Sequence, residues 1–400
     1  MKDLTSSLTE RHARSLYRQR RVLEGPTGPE AVLDNRVVLN FSSNDYLGLA
    51  NHPAVVEAFV TGARRYGVGA GAAHLVTGHR TPHHALEEEL ATFTGRPRAL
   101  LFSTGYMANL GIMGTLFGRH DRIYEDRLNH ASLLDAAGYA GAPLTRYPHA
   151  DTTVLEERLM QASPGRERLV VSDGVFSMDG DLAPLPELAA IARRYGAWLM
   201  VDDAHGIGIL GEGRGTVAHY GLGSEEVPIL MGTLGKALGT SGAFVAGTET
   251  LIETLIQEAR PYIYTTATPP AVAEATRAAL RIVDEEPWRR EHLRALINRL
   301  QTGLRELHLS LLPSLTPIQP LILGTAARAT AISEALLARN ILISAIRPPT
   351  VPEGTARLRI TLTAAHTLAQ VDQLVEALGQ IVMSEQLGTP LGTVFSPITL

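Results

Sequence analysis

The stretch Val227-Pro-Ile-Leu-Met-Gly-Thr-Leu-Gly-Lys-Ala-Leu-Gly239 decides the reading of this chain. Val227 to Met231 is a short apolar run that reads as a buried strand. Gly232, Gly235 and Gly239 follow it, and such small residues let backbone or ligand approach closely. Among them stands Lys236. Of 36 basic residues only two are lysine, Lys2 and Lys236. Arginine replaces lysine as a solvated cation but not as an amine nucleophile, because guanidinium stays protonated. Chance survival of one lysine is the bland alternative. The strand end and the glycines favour chemistry.

Outward from this stretch the same pattern repeats. Short apolar strands are expected at residues 99–102, 122–125, 144–147, 169–172, 198–202, 228–231 and 243–246. Helices are expected at 52–66, 82–93, 107–117, 131–139, 153–162 and 185–195. Nearly all-apolar strands separated by helices indicate an α/β fold, a mostly parallel central sheet covered on both faces. Ligands sit at the carboxyl ends of such strands. Three polar groups fall there: Asp202-Asp-Ala-His205, Ser177, and Thr233 with Lys236.

Before the sheet, residues 11–23 read as a short amphipathic helix and 31–41 as a strand or hairpin. After it, long helices are expected at 249–259, 271–283 and 288–307. A smaller α+β unit follows, with strands near 319–323, 342–347 and 357–362 and a helix at 368–383. The expected domains are an N-terminal segment 1–45, a large domain 46–286, a C-terminal α+β domain 287–384 and an irregular tail 385–400. Glu285-Glu-Pro287 is the expected main boundary.

Composition narrows the classes. A net charge of −5 and scattered arginines give no basic block for nucleic acid. The absence of cysteine excludes disulfides, thiolate catalysis and cysteine metal sites. No apolar run has the length of a membrane span. Residues 11–24 are arginine-rich, but Asp3, Glu10 and Glu24 argue against a transit peptide. The expected location is the cytoplasm.

An amine at a strand end, with an acid and a histidine nearby, suits pyridoxal 5′-phosphate (PLP). That cofactor needs a lysine for its aldehyde and a carboxylate for its pyridine nitrogen. A nearby negative charge keeps that nitrogen protonated, which makes the ring an electron sink. The segment Ser103-Thr-Gly-Tyr-Met-Ala-Asn109 lies between a strand and a helix start, where backbone N–H groups and Gly105 suit a phosphate. By itself it reads as a plain strand-to-helix turn, and beside Lys236 as a phosphate cradle.

Longer segments carry a resemblance. They include Asn40-Phe-Ser-Ser-Asn-Asp-Tyr-Leu-Gly-Leu49, Asp126-Arg-Leu-Asn-His-Ala-Ser-Leu-Leu134 and Gly174-Val-Phe-Ser-Met-Asp-Gly-Asp181. Val201-Asp-Asp-Ala-His-Gly206, Thr233-Leu-Gly-Lys236 and Ala345-Ile-Arg-Pro-Pro-Thr-Val-Pro352 belong with them, as does Gly354-Thr-Ala-Arg-Leu-Arg-Ile-Thr-Leu-Thr-Ala-Ala-His366. From about residue 10 to 380 the chain resembles the α-oxoamine synthases, PLP-dependent transferases of fold type I, the aspartate-aminotransferase-like fold. Ile346-Arg-Pro-Pro-Thr350 reads most like the branch that condenses L-alanine with pimeloyl-CoA, or a pimeloyl-acyl carrier protein, in biotin biosynthesis.

The resemblance implies roles. Lys236 would bind PLP and move protons at the substrate α-carbon, and Asp202 would pair with the pyridine nitrogen. His205 and Ser177 would bond the ring hydroxyl oxygen, and His130 would stack on the ring. Thr233 and the backbone of Gly105 and Tyr106 would hold the phosphate, joined by Thr266 from a second subunit of a homodimer with shared sites. Arg359 would hold the substrate carboxylate. Asn44, Arg18 and Thr350 would line the substrate site, although Arg20 and Arg21 leave the register at Arg18 soft.

Bland alternatives stand beside these. A lone histidine such as His130 is more often a helix N-terminal residue than a stacking group, and Arg359 with Arg357 could be a surface strand pair. Asp203 competes with Asp202; alternation lets only one face the ring, and geometry alone does not choose. Sister activities using glycine or serine share the chemistry, and a PLP-binding protein without turnover would share the fold. Gly67-Val-Gly-Ala-Gly71 follows no convincing strand, and Gly211-Glu-Gly-Arg-Gly215 lacks a P-loop lysine. His79, His83 and His84 flank a helix start rich in Glu87, Glu88 and Glu89, but their loose spacing implies no ligand set, so no metal is expected.

Overall fold

The computed structural model describes residues 4–14, 16–161, 166–309 and 311–386. These form two compact units. One comprises residues 1–44, 178–180 and 290–400, the other residues 45–177 and 181–289. The N-terminal segment thus groups with the C-terminal residues and is not a unit of its own. The expected tail is cut short from its front, because the helix Leu368–Gln386 runs past residue 384. Residues beyond 386 lie outside those described.

The larger unit is built on seven strands. Their order is Arg98–Phe102, Ala243–Gly247, Ile229–Thr233, Trp198–Asp202, Arg168–Asp173, Arg122–Asp126 and Leu144–Tyr147. Ala243–Gly247 runs antiparallel to both neighbours, and the other pairings are parallel. The reason is chain length. Leu234–Gly242 is too short for a parallel crossover, which needs roughly a dozen residues, so the chain turns straight back. Gly239 makes the turn possible: its φ is 67°, and a Cβ there would lie 2.3 Å from the Ala50 nitrogen.

Alternation along the strands fills both faces. Ile123, Val171, Met200, Met231 and Val245 pack with Ile112 and Leu133 on one face. Tyr124, Val170, Leu199 and Leu230 pack with Leu155 and Leu188 on the other. Polar side chains are left to the strand ends, which is where function can be placed.

The smaller unit holds the hairpin Glu30–Leu33 and Arg36–Asn40, turned by Asp34 and Asn35 at φ 49° and 59°. Ile341–Leu342 adds to it in parallel. A second sheet has the order Ile318–Gly324, Ala356–Thr361, Ala345–Ile346. The strand expected at 342–347 is therefore two short strands in different sheets. The helix expected at 11–23 is also corrected: the helix is Leu4–Ala13, and residues 16–23 are irregular. Tertiary contacts draw that stretch out. Tyr17 stacks on His12, and Arg18 donates to the Thr350 hydroxyl at 3.0 Å. Among the described residues, no helix is long and apolar enough to cross a membrane.

Candidate active site

In the larger unit, adjacent strands bring the acid and the amine to one edge. Asp202 pairs in register with Met231, and Lys236 follows on the loop after Thr233. Lys236 Nζ lies 2.8 Å from His205 Nε2, and His205 Nδ1 lies 2.7 Å from the Tyr46 hydroxyl. The two short contacts join Lys236, His205 and Tyr46, with the donor at each set by the His205 tautomer. A continuous chain of bonds thus aims the amine.

Asp202 is buried and accepts from the Ala204 nitrogen at 3.1 Å and from Asn109 Nδ2 at 2.9 Å. Asn109 Nδ2 also donates to Ser132 Oγ at 2.8 Å, and Ser132 Oγ meets His130 Nδ1 at 2.8 Å. Asp203 points the other way. Its two oxygens accept from the Thr216 hydroxyl and nitrogen, both at 2.7 Å, inside a pocket shaped by Gly206 and Gly215. Full burial pushes its pKa up to about 7, with the Thr216 bonds pulling it down and Asp202 adding to the rise. Of the two acids, Asp202 is the one linked to Asn109, Ser132 and His130.

His130 caps the helix Ala131–Ala140 through its ring and also belongs to the Asp202 group, so both readings of it hold. Its backbone nitrogen donates to Asp173 at 3.0 Å. Complete burial, and then the charge of Asp202 beside it, hold Asp173 well above the usual carboxylate range. Thr104 caps the helix Gly105–Leu116 by accepting from the Met107 nitrogen at 3.2 Å. A Cβ on Gly105 would make only ordinary contact with Met231, at 3.5 Å. Protein packing therefore leaves the backbone at Gly105 open to close approach. Thr233 Oγ1 accepts from the Gly235 nitrogen at 3.4 Å and donates to the Gly242 carbonyl at 3.1 Å. Tyr106 is exposed, and its hydroxyl bonds Asp135. Thr266 is exposed and pairs through its backbone with Ala73. Ser177 is buried four residues after Asp173, where its strand ends. An amine, a buried acid and a histidine at strand ends, with a glycine helix start, are the donor set PLP requires, so the residues present fit that cofactor.

In the smaller unit, Arg359 is buried and donates to Asn44 Oδ1 at 3.1 Å. Its neighbour Arg357 is buried too, paired with Asp179, so neither is a surface residue. Arg18, not Arg20 or Arg21, bonds Thr350. Arg18 and Thr350 line a cavity of about 890 Å³ with Tyr17, Ser43, Ile346 and Arg347.

Tyr46, Asn109, Ser132 and Asp173 were not singled out from sequence. Asn109 was the most accessible of them: it lies four residues after Gly105 on one helix, hence on the same face. His149 is another. It bonds Asp126 at 3.1 Å and Asp181 at 2.8 Å, and the Asp181 carbonyl accepts from Phe176, next to Ser177. Burial opposes its charge, but the bonds to both acids outweigh it and raise its pKa to about 9. A raised pKa gives stability that is complete below the unfolded value near 6.5 and fades as pH climbs through 9. The stability advantage over His149→Gln should reach at most about 3 kcal/mol at pH 6 and shrink toward pH 10, as read by denaturant melts. A pH-independent difference would show that His149 is held by shape and not by charge.

Residues 36–378 match the family described as aminotransferase class I and II. A curated 8-amino-7-oxononanoate synthase of Nitrosococcus oceani is 65% identical over 376 residues, covering 94% of this chain and 100% of that protein. A solved serine palmitoyltransferase of S. paucimobilis with PLP bound superposes with a TM-score of 0.91 at 31% identity, covering 97% of this chain and 100% of the other. An 8-amino-7-oxononanoate synthase of Francisella tularensis superposes with a TM-score of 0.76 at 33% identity, covering 87% and 99%. The chain belongs to the class I and II aminotransferase family and, within it, to the α-oxoamine synthases that include the 8-amino-7-oxononanoate synthases.

Proposed function

We infer that this chain is an acyltransferase of biotin biosynthesis. It condenses L-alanine with a pimeloyl thioester and releases 8-amino-7-oxononanoate, carbon dioxide and the free thiol carrier. The carrying observation is the Lys236–His205–Tyr46 chain beside Asp202, in a protein 65% identical to a synthase of that name across 94% of its length. When bound, PLP supplies the electron sink for the α-carbon.

The chain's own residues do the rest. Lys236 Nζ, held by His205, takes the α-proton of L-alanine and later returns a proton to that carbon. Asp202, braced by Asn109, would keep the pyridine nitrogen protonated. His205 and Ser177 would bond the ring hydroxyl oxygen, and His130 would stack on the ring. Thr233 and the backbone of Gly105 and Tyr106 would hold the phosphate, with Thr266 serving a second copy in a homodimer. Arg359, oriented by Asn44, takes the amino-acid carboxylate through its fork. Arg18 and Thr350 line the room for the acyl chain.

Carbon dioxide release from L-alanine with pimeloyl-CoA tests the reading, with glycine and L-serine in parallel. Release with alanine at least roughly tenfold faster is expected. That ratio is about 1.4 kcal/mol of discrimination, within what one methyl group in a pocket supplies. Faster release with glycine or serine would move the chain to a sister activity, and a protein that binds PLP without releasing carbon dioxide would remove the enzyme reading.

A further inference from the structure

Four histidines and a glutamate converge around the segment His74–Gly78 and the start of the helix Thr81–Thr94. Their spacing in sequence is loose, yet the fold gathers them. His83 is already committed: Nδ1 accepts from the Arg80 nitrogen at 3.0 Å, and Nε2 meets the Thr268 carbonyl at 2.8 Å. His79 differs. Its Nδ1 lies 2.9 Å from His74 Nδ1, and its Nε2 faces Glu87 Oε2 at 3.9 Å, too far for a hydrogen bond. One nitrogen each of His79 and His84 and one oxygen of Glu87 lie within 4.8 Å of one another. Bonds near 2.1 Å set neighbouring ligand atoms roughly 3.3–4 Å apart around a small cation, so a modest contraction completes the set.

We propose that His79, His84 and Glu87 bind a divalent transition-metal ion of the zinc type. His84 and Glu87 are three residues apart on one helix and share a face. His79 comes from the segment just before that helix. In the tautomer that donates its Nδ1 proton to His74, His79 leaves the lone pair on Nε2 facing Glu87, which is how an outer partner orients a metal-bound imidazole. His74 is itself fixed by stacking on Tyr262, at 5.1 Å and 13°. Glu87 is anchored from behind, since its Oε1 accepts from the Leu101 nitrogen at 3.0 Å.

The surroundings leave the cluster open to an ion. Arg98 lines the same cavity, but its guanidinium is taken by Glu249 at 2.6 Å and Glu253 at 3.0 Å. That cavity, about 280 Å³, provides an entry path and room for water to complete the shell. Two imidazoles with one carboxylate favour zinc, nickel or copper over magnesium or calcium. The ion would staple the turn at His74–Gly78 to the helix after it.

Calorimetric titration of the tag-free holoenzyme with Zn²⁺, after dialysis against a chelator, tests this. One site per chain is expected, with micromolar or tighter affinity and a higher melting temperature when filled. His84→Ala and Glu87→Gln should each weaken binding at least roughly tenfold. His84 is exposed, so its loss does not disturb the core and the test survives if another variant misfolds. His219→Ala, an exposed histidine elsewhere, should change nothing. Absence of binding by the wild type, or equal affinity in wild type, His84→Ala and Glu87→Gln, overturns the proposal.

Discussion

Lys236→Ala is expected to lower kcat by roughly 10⁴-fold or more, with the fold intact. General-base removal alone accounts for the upper end of the usual 10²–10⁴ range, and the lost covalent link to the cofactor adds to it. Lys236 is half-buried on a loop and contributes little to either packed face, so melting should barely move. The check is carbon dioxide release together with the visible absorbance of the purified protein. Wild-type-like turnover would take the amine out of the chemistry and leave His205 as the base to test next.

Asp202→Asn is expected to lower kcat by about 10²-fold or more while PLP affinity changes far less. The amide keeps the bond from Ala204 but carries no charge to hold a proton on the ring nitrogen, and each unit of pKa lost there is about 1.4 kcal/mol. Asp203→Asn is the matched control. Its carboxylate is closed in by Thr216 and two glycines, so its loss should lower the melting temperature and leave kcat of the folded fraction nearly unchanged. Equal loss of turnover and cofactor affinity in Asp202→Asn would make Asp202 a structural residue too.

The sheet was legible because its strands are apolar on both faces, and every strand expected in the larger unit is present within a residue or two. The direction of Ala243–Gly247 was not legible from apolarity, which is blind to direction; connection length carried that information. The helix Ala326–Ala338 went unread, although Ala329, Ile332 and Leu336 fall on one face and Thr325 caps it. Its alanine-rich run shows little contrast between faces. At the site, Lys236, Asp202 and His205 were read from strand ends and motifs. Tyr46 and Asp173 were not, because each acts through a partner distant in sequence, and single-chain patterning holds no record of such pairs. The arginine-rich stretch misled for the opposite reason. Arginine is a good helix former, and the contact of Arg18 with Thr350, more than three hundred residues away, overrides that preference.

The tight return from Thr233 to Ala243 makes the lysine's placement a matter of arithmetic. Both flanking strands are locked into the ladder, and the strand that bears Asp202 is the next one over. The spacing of amine and acid is thus ruled by backbone pairing near the middle of a sheet, the stiffest part of such a domain. Within the loop Leu234, Ala237 and Leu238 are buried and Gly239 needs its positive φ, so few of its positions are open to exchange. A residue added or removed before Lys236 would shift the amine relative to the strand end that holds it, because the flanking strands keep their register in the ladder. Homologues and engineered variants should therefore keep the length of this loop, with Lys236 and Gly239 at fixed places in it.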